Sequence, residues 1–155
     1  MRIFRHHTDL PSDFRPTVVA IGNFDGVHLG HRRVIEMARE RARDHDAPLA
    51  VLTFEPHPRS YFQPGAPPFR LTPFRSKAHL FEAIGVECLV VLSFDATLAA
   101  LSAEQFVSDV LVKGLRARHV VIGYNFAFGH GRKGDVTQLR ALAAQLGFGV
   151  TGVGP

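Results

Sequence analysis

The sequence predicts an α/β protein, a Rossmann-like doubly wound parallel sheet of about five strands with helices on both faces. Three observations predict it. Short apolar runs rich in Val, Ile and Leu alternate along the chain with segments of helical period. Two of these runs end in glycine, as buried strands before a turn do. Cap residues and glycines stand where helices should start and stop.

The elements follow in order. Residues 17–22 (TVVAIG) read as a first buried strand. In residues 31–43, Val34, Ile35 and Ala38 recur at helical spacing between Arg and Glu, which makes an amphipathic helix. Residues 49–54 (LAVLTF) form the second strand. Residues 55–73 hold six of the ten prolines and no helical period, so they read as a long loop. Ser76 is placed to cap a helix through Ile84, with Gly85 at its end. Residues 87–93 (ECLVVLS) are the third strand, and Ser102 caps a helix through Leu111. Residues 119–123 (HVVIG) are the fourth strand, followed by the glycine-rich residues 124–134. Asp135 caps a helix through Leu146, and residues 148–153 begin a fifth strand. Phe4, Phe81, Phe94 and Phe106 fall at core-like positions.

The 155 residues suit one domain spanning 1–155. With 46% hydrophobic and 21% charged residues, the chain is neither collagenous nor disordered. Cys88 is the single cysteine, which excludes an internal disulfide and a thiolate zinc site and suits a cytoplasmic protein. No apolar run approaches the roughly 20 residues of a membrane span, and the opening residues lack the apolar region of a signal peptide. No membrane partner is expected. The net charge of +4 suits a phosphate-bearing ligand. The basic clusters, residues 39–43 and Arg132-Lys133, are too short to be a nucleic-acid footprint.

In a doubly wound sheet, ligands sit beyond the carboxyl ends of the strands where strand order reverses. That directs attention to the loops after the first, second and fourth strands. The first reads Gly22-Asn23-Phe24-Asp25-Gly26-Val27-His28-Leu29-Gly30-His31. Its glycines permit close backbone approach to a ligand. A helix starting near Gly30 aims its free N–H groups and positive dipole end at the same place, a ready anion site. His28 and His31, three apart, share one side of the first turn. There they can donate hydrogen bonds to a phosphoryl group and gain charge as its transition state does. Taken alone, the pair is also compatible with capping and packing. A zinc pair would need a third ligand, and Asp25 is poor support for one.

His28-Leu29-Gly30-His31 resembles the HxGH signature of the nucleotidylyltransferase superfamily. The longer string GNFDGVHLGH resembles one branch of it, the adenylyltransferase (FAD synthetase) domain of bacterial bifunctional riboflavin kinase/FMN adenylyltransferases. Residues 53–58 (TFEPHP) resemble that branch's TFxPHP. Residues 123–134 resemble its GxxFxFGxxxxG loop.

The resemblance implies transfer of AMP from ATP to the phosphate of FMN, giving FAD and pyrophosphate, with Mg²⁺ carried by the nucleotide. It implies His28 and His31 as the catalytic pair. Gly22, Asn23, Phe24, Asp25, Gly26, Gly30 and Asn125 join them around the nucleotide, and Pro56, His57, Pro58, Phe62, Asn125 and Phe128 border the flavin. No residue is assigned as a metal ligand. Asn125 stands where the branch often has an acid. The resemblance also implies a further phosphate-binding motif, Ser/Thr-rich with an Arg, and a covalently linked riboflavin kinase domain. The sequence ends at Gly154-Pro155 before either, so it is expected to be part of a longer chain or a reduced relative. Two other readings remain open: a non-catalytic flavin or nucleotide module, and a nucleotidyltransferase with a different acceptor. Gly129-His130-Gly131-Arg132-Lys133-Gly134 spells GxGxxG. It starts six residues after its strand with no acidic residue placed to hold a ribose, so it reads as a phosphate-side loop and not a dinucleotide fingerprint.

Overall fold

The apolar runs become the strands of one parallel sheet. The computed structural model describes residues 1–24, 29–55 and 74–154, with Leu29 and Gly30 described by their backbone alone. The strands are β1 (Arg2–Phe4), β2 (Thr17–Ile21), β3 (Leu49–Glu55), β4 (Cys88–Ser93), β5 (Ala117–Gly123) and β6 (Gly149–Val153). Their order is β1-β4-β3-β2-β5-β6, every pair parallel. The helices are α1 (Leu29–Asp44), α2 (Phe74–Ile84), α3 (Ala96–Ala99), α4 (Ala103–Gln105) and α5 (Val136–Leu146). A π-helical stretch, Phe106–Gly114, continues α4.

Side chains alternate across the sheet, so each strand feeds two cores. On one face Val34, Ile35, Ala38 and Ala42 of α1 and Phe81 of α2 cover Val18, Ala20, Val51 and Leu89. On the other, Val107, Val110 and Leu111, with Leu139 and Ala143 of α5, cover Val19, Ile21, Leu52 and Val90. Helices on both faces are what the buried strand runs require.

Four local differences from the sequence pattern have physical causes. The sheet has six strands because β1 joins its edge. Three residues carry too little pattern to announce a strand, and pairing with Cys88, Leu89 and Val90 makes them one. The α2 helix begins at Phe74, so Ser76 lies inside its first turn instead of capping it. Phe74 packs against the core, and the Arg5 guanidinium lies 4.5 Å from its ring centre, contacts that outweigh a cap signal. The Ser102 helix starts with the expected cap, a reciprocal box with Gln105, but runs past Leu111 to Gly114 in π geometry. The Leu115 N–H reaching back to the Val110 carbonyl at 2.9 Å marks that spacing. The four-residue α3, capped by Asp95, is too short for a periodic signal.

Asp135 caps α5 as its position suggests, its carboxylate accepting from the Gln138 N–H. Phe81 and Phe106 are core residues, and Phe4 and Phe94 pack against the core from partly buried positions.

Burial pushes the Cys88 thiol up to about 12, with Arg2 opposing the shift and Glu87 adding to it. We expect the native protein at pH 8 to resist Ellman's reagent and to react stoichiometrically once unfolded in guanidinium. His119, hydrogen-bonded at 2.7 Å to the Thr151 hydroxyl, titrates below its ordinary 6.5 through burial, then through His45 and Arg41. Above that value both folded and unfolded forms are neutral and the full stability is present. As pH falls, the unfolded chain takes up the proton first and stability is lost. The urea midpoint should therefore drop between pH 7 and 5, and His119→Gln should flatten that drop.

Candidate functional site

Chain connectivity fixes the site before any side chain does. From β2 the chain steps to β3 and β4 on one side, while β5 and β6 lie on the other. Strand order therefore reverses between β2 and β5, whose ends are paired at Ile21 and Ile122. The segments leaving these two ends are the glycine-rich turn into α1 and the Gly123-Tyr124-Asn125 turn. A crevice at this place is where parallel sheets bind ligands.

The turn after β2 is held from three sides. The Gly22 N–H continues the sheet ladder to the Leu52 carbonyl. The Asn23 carbonyl accepts from Thr53 Oγ1 and from Lys77 Nζ, both at 3.2 Å. Phe24 adopts φ +52°, a left-handed conformation that bulky residues avoid. Its ring turns back over Gly22, and a Cβ on Gly22 would meet that ring at 2.8 Å. The same ring, 4% exposed, packs edge-on against Phe81 at 5.6 Å and His31 at 5.5 Å. Phe24 is thus a pin between the sheet, α2 and α1, and Gly22 is glycine because the pin lies on it. Asn23 Oδ1 is buried with no hydrogen-bond partner among the described residues.

The first turn of α1 contains Leu29, Gly30 and His31, with the His31 ring against the Phe24 pin. Its N-terminal N–H groups and dipole supply positive potential at the crevice, and Arg41 and Arg43 complement the opposite end. Asp25, Gly26 and His28 lie outside the described residues, as do Pro56, His57, Pro58 and Phe62.

Across the crevice, the Tyr124 N–H donates to the Val153 carbonyl at 2.9 Å and the Phe126 N–H to the Gly123 carbonyl at 3.0 Å. This tight turn leaves Asn125 exposed. Phe128 behaves otherwise. It is 7% exposed and packs on Phe106 at 5.6 Å, while its backbone pairs with Gly134 in an antiparallel bridge. Its ring anchors the loop in the core. Gly134 and Gly129 permit that closure, since a Cβ would strike the Phe128 ring at 2.7 Å in the first case and the Ala103 backbone at 2.7 Å in the second. His130, Arg132 and Lys133 stand exposed on the same loop.

Two features escape a reading of motifs alone. Phe54 and Phe126 lie nearly parallel, centroids 6.5 Å apart, and Phe94 meets Phe54 edge-on at 6.0 Å. Together they form an aromatic cluster from the end of β3 and the segments after β4 and β5. The second is Lys77, 4% exposed, whose Nζ lies 3.5 Å from Glu55 Oε1. Its place four residues before Phe81, on the inward side of α2, was the available signal. Among the described residues no three His, Cys, Asp or Glu side chains converge to hold a metal ion.

The FAD synthetase family profile matches residues 10–155. The chain belongs to the FAD synthetase family. It is 41% identical over 134 residues to the bifunctional riboflavin kinase/FMN adenylyltransferase of Escherichia coli K12, covering 86% of this chain and 43% of that protein. The same enzyme of Bacillus subtilis is 38% identical over 132 residues, covering 84% and 41%. That of Buchnera aphidicola is 30% identical over the full 155 residues and half of its own length. This FAD synthetase family member therefore spans about half the length of the curated relatives it matches. A crystal structure described as a macrolide-efflux protein from Streptococcus pneumoniae superposes with a TM-score of 0.79 at 26% identity, over 99% of this chain and 49% of that one. Among the described residues no helix is long and apolar enough to cross a membrane.

Replacing Gly22 by Ala should destabilise the protein by about 1–3 kcal/mol, because the overpacked ring is wedged between Phe81 and His31 and cannot yield. Urea unfolding measures it, and an unchanged midpoint would show that the Phe24 ring moves freely.

Proposed function

We propose that the chain is an FMN adenylyltransferase, transferring AMP from ATP to the phosphate of FMN to give FAD and pyrophosphate. The observation that carries the reading is the GNFDGVHLGH turn at the reversal of strand order, with the positive end of α1 beside it. An FMN phosphate oxygen attacks the α-phosphorus of ATP in line. The bond to the pyrophosphate oxygen breaks, and no covalent enzyme intermediate is needed. In this reading His28 and His31 donate hydrogen bonds to the transferring phosphoryl group as its charge develops. Gly22, Asn23, Asp25, Gly26 and Gly30 form the nucleotide cradle, and Phe24 stiffens it from behind.

Pro56, His57, Pro58 and Phe62 border the flavin, with Asn125 at the junction of the two ligands and the ring of Phe126 nearby. Phe128 supports this border from the core in place of lining it. His130, Arg132 and Lys133 supply cationic groups on the phosphate side. Mg²⁺ arrives on the ATP phosphates, where it neutralises charge. The described residues offer no closed ligand set of their own, and Asn125 as an amide adds no charge to one.

The FMN consumed is the product of riboflavin phosphorylation, the activity that the names of the relatives pair with this one. A covalently linked riboflavin kinase domain is accordingly the partner we propose, with the cytoplasm as the compartment that supplies ATP.

The test is FAD formation from ATP and FMN, followed by chromatography and pyrophosphate release, in this chain and in its full natural protein. His28→Ala and His31→Ala should each lower kcat by about 10² or more. FMN and ATP binding without pyrophosphate release in the full protein would mark a non-catalytic binding module. Turnover of pantetheine phosphate or a nicotinate nucleotide in preference to FMN would reassign the acceptor.

A further inference from the structure

Building on the adenylyl-transfer reading, we propose that Lys77 is a positioning residue joining the two substrate sites: it ties the nucleotide-side turn after β2 to the end of β3, where the flavin-side segment begins. Lys77 lies on the buried face of α2 at 4% exposure. Its Nζ donates to the Asn23 carbonyl at 3.2 Å and pairs with Glu55 at 3.5 Å. Asn23 immediately precedes the Phe24 pin. Glu55 is the last residue of β3 and immediately precedes Pro56-His57-Pro58.

A lysine at this depth is not what packing alone selects. Replacing a whole buried ion pair such as Lys77–Glu55 with apolar side chains is often neutral or stabilising, so the pair does not stand there for packing. Phe24 holds a backbone conformation that persists only where its surroundings impose it. Those surroundings come largely from one face of α2. Phe81 grips the Phe24 ring, and Lys77, one helical turn earlier, grips the carbonyl before it. The His31 ring rests on Phe24. Releasing the carbonyl lets the Asn23–Phe24 peptide relax and carries His31 away from its place. Releasing Glu55 loosens the end of β3, from which the flavin-side segment leaves.

Three variants separate these links. Lys77→Met keeps the unbranched stem and removes both. Thr53→Val is isosteric and removes only the second donor to Asn23. Glu55→Gln, at a partly exposed position, breaks only the ion pair. Calorimetric titrations with a non-hydrolysable ATP analogue and with FMN, beside urea midpoints, read the outcome. Lys77→Met should lower the urea midpoint, because Glu55 loses its partner, and should weaken both ligands about tenfold or more in the folded protein. Thr53→Val should weaken the analogue and spare FMN, and Glu55→Gln the reverse, each by about threefold or more. Equal affinities of wild type and Lys77→Met overturn the inference and leave the proposed function standing. If Lys77→Met does not fold, unchanged FMN affinity in Glu55→Gln or unchanged analogue affinity in Thr53→Val overturns it. A wild-type protein that binds neither ligand removes the proposed function and the inference together.

Discussion

Everything at the crevice depends on Phe24 being driven into the core from the turn at the reversal of strand order. A loop at the carboxyl edge of a sheet would ordinarily be free to move. Here its middle carries a large ring at 4% exposure, sealed by Phe81 and His31. Burying such a side chain contributes about 1.5–3 kcal/mol, which offsets the strain of its positive φ. The start of the turn, Gly22–Phe24, is held because the Phe24 ring is spent inward.

The sheet supplies the second half of the arrangement. Reversal of strand order between β2 and β5 splits the helices to opposite faces and leaves the two turns side by side. Electrostatics then favours an anion. The α1 N-terminus has no acidic residue in its first turn, and exposed Arg132 and Lys133 lie on the loop after β5. The aromatic residues sort by depth. Phe106 and Phe128 are buried, while Phe126 and Phe94 pack against that core with partial exposure.

The sequence was most legible where one residue type has one physical use. Continuous Val-rich runs could only be strands covered on both faces, and Asp135 and Ser102 could only help as caps. The GNFDGVHLGH string carried the family because its glycines and histidines occur together at a strand-to-helix turn. Illegible were the features made by distant contacts. The strand Arg2–Phe4 exists through its pairing with β4. The start of α2 follows from packing of Phe74. Phe24 and Phe128 both look like ligand-facing aromatics in sequence, yet the fold turns their rings inward. Lys77 resembles any helical lysine until the fold brings Asn23 and Glu55 to it.

A co-crystal with a non-hydrolysable ATP analogue tests the central claim most directly. The account requires the α-phosphate to lie at the first turn of α1, between the ends of β2 and β5, within hydrogen-bonding reach of His31. Nucleotide density anywhere else on the molecule, with that turn empty, would contradict it.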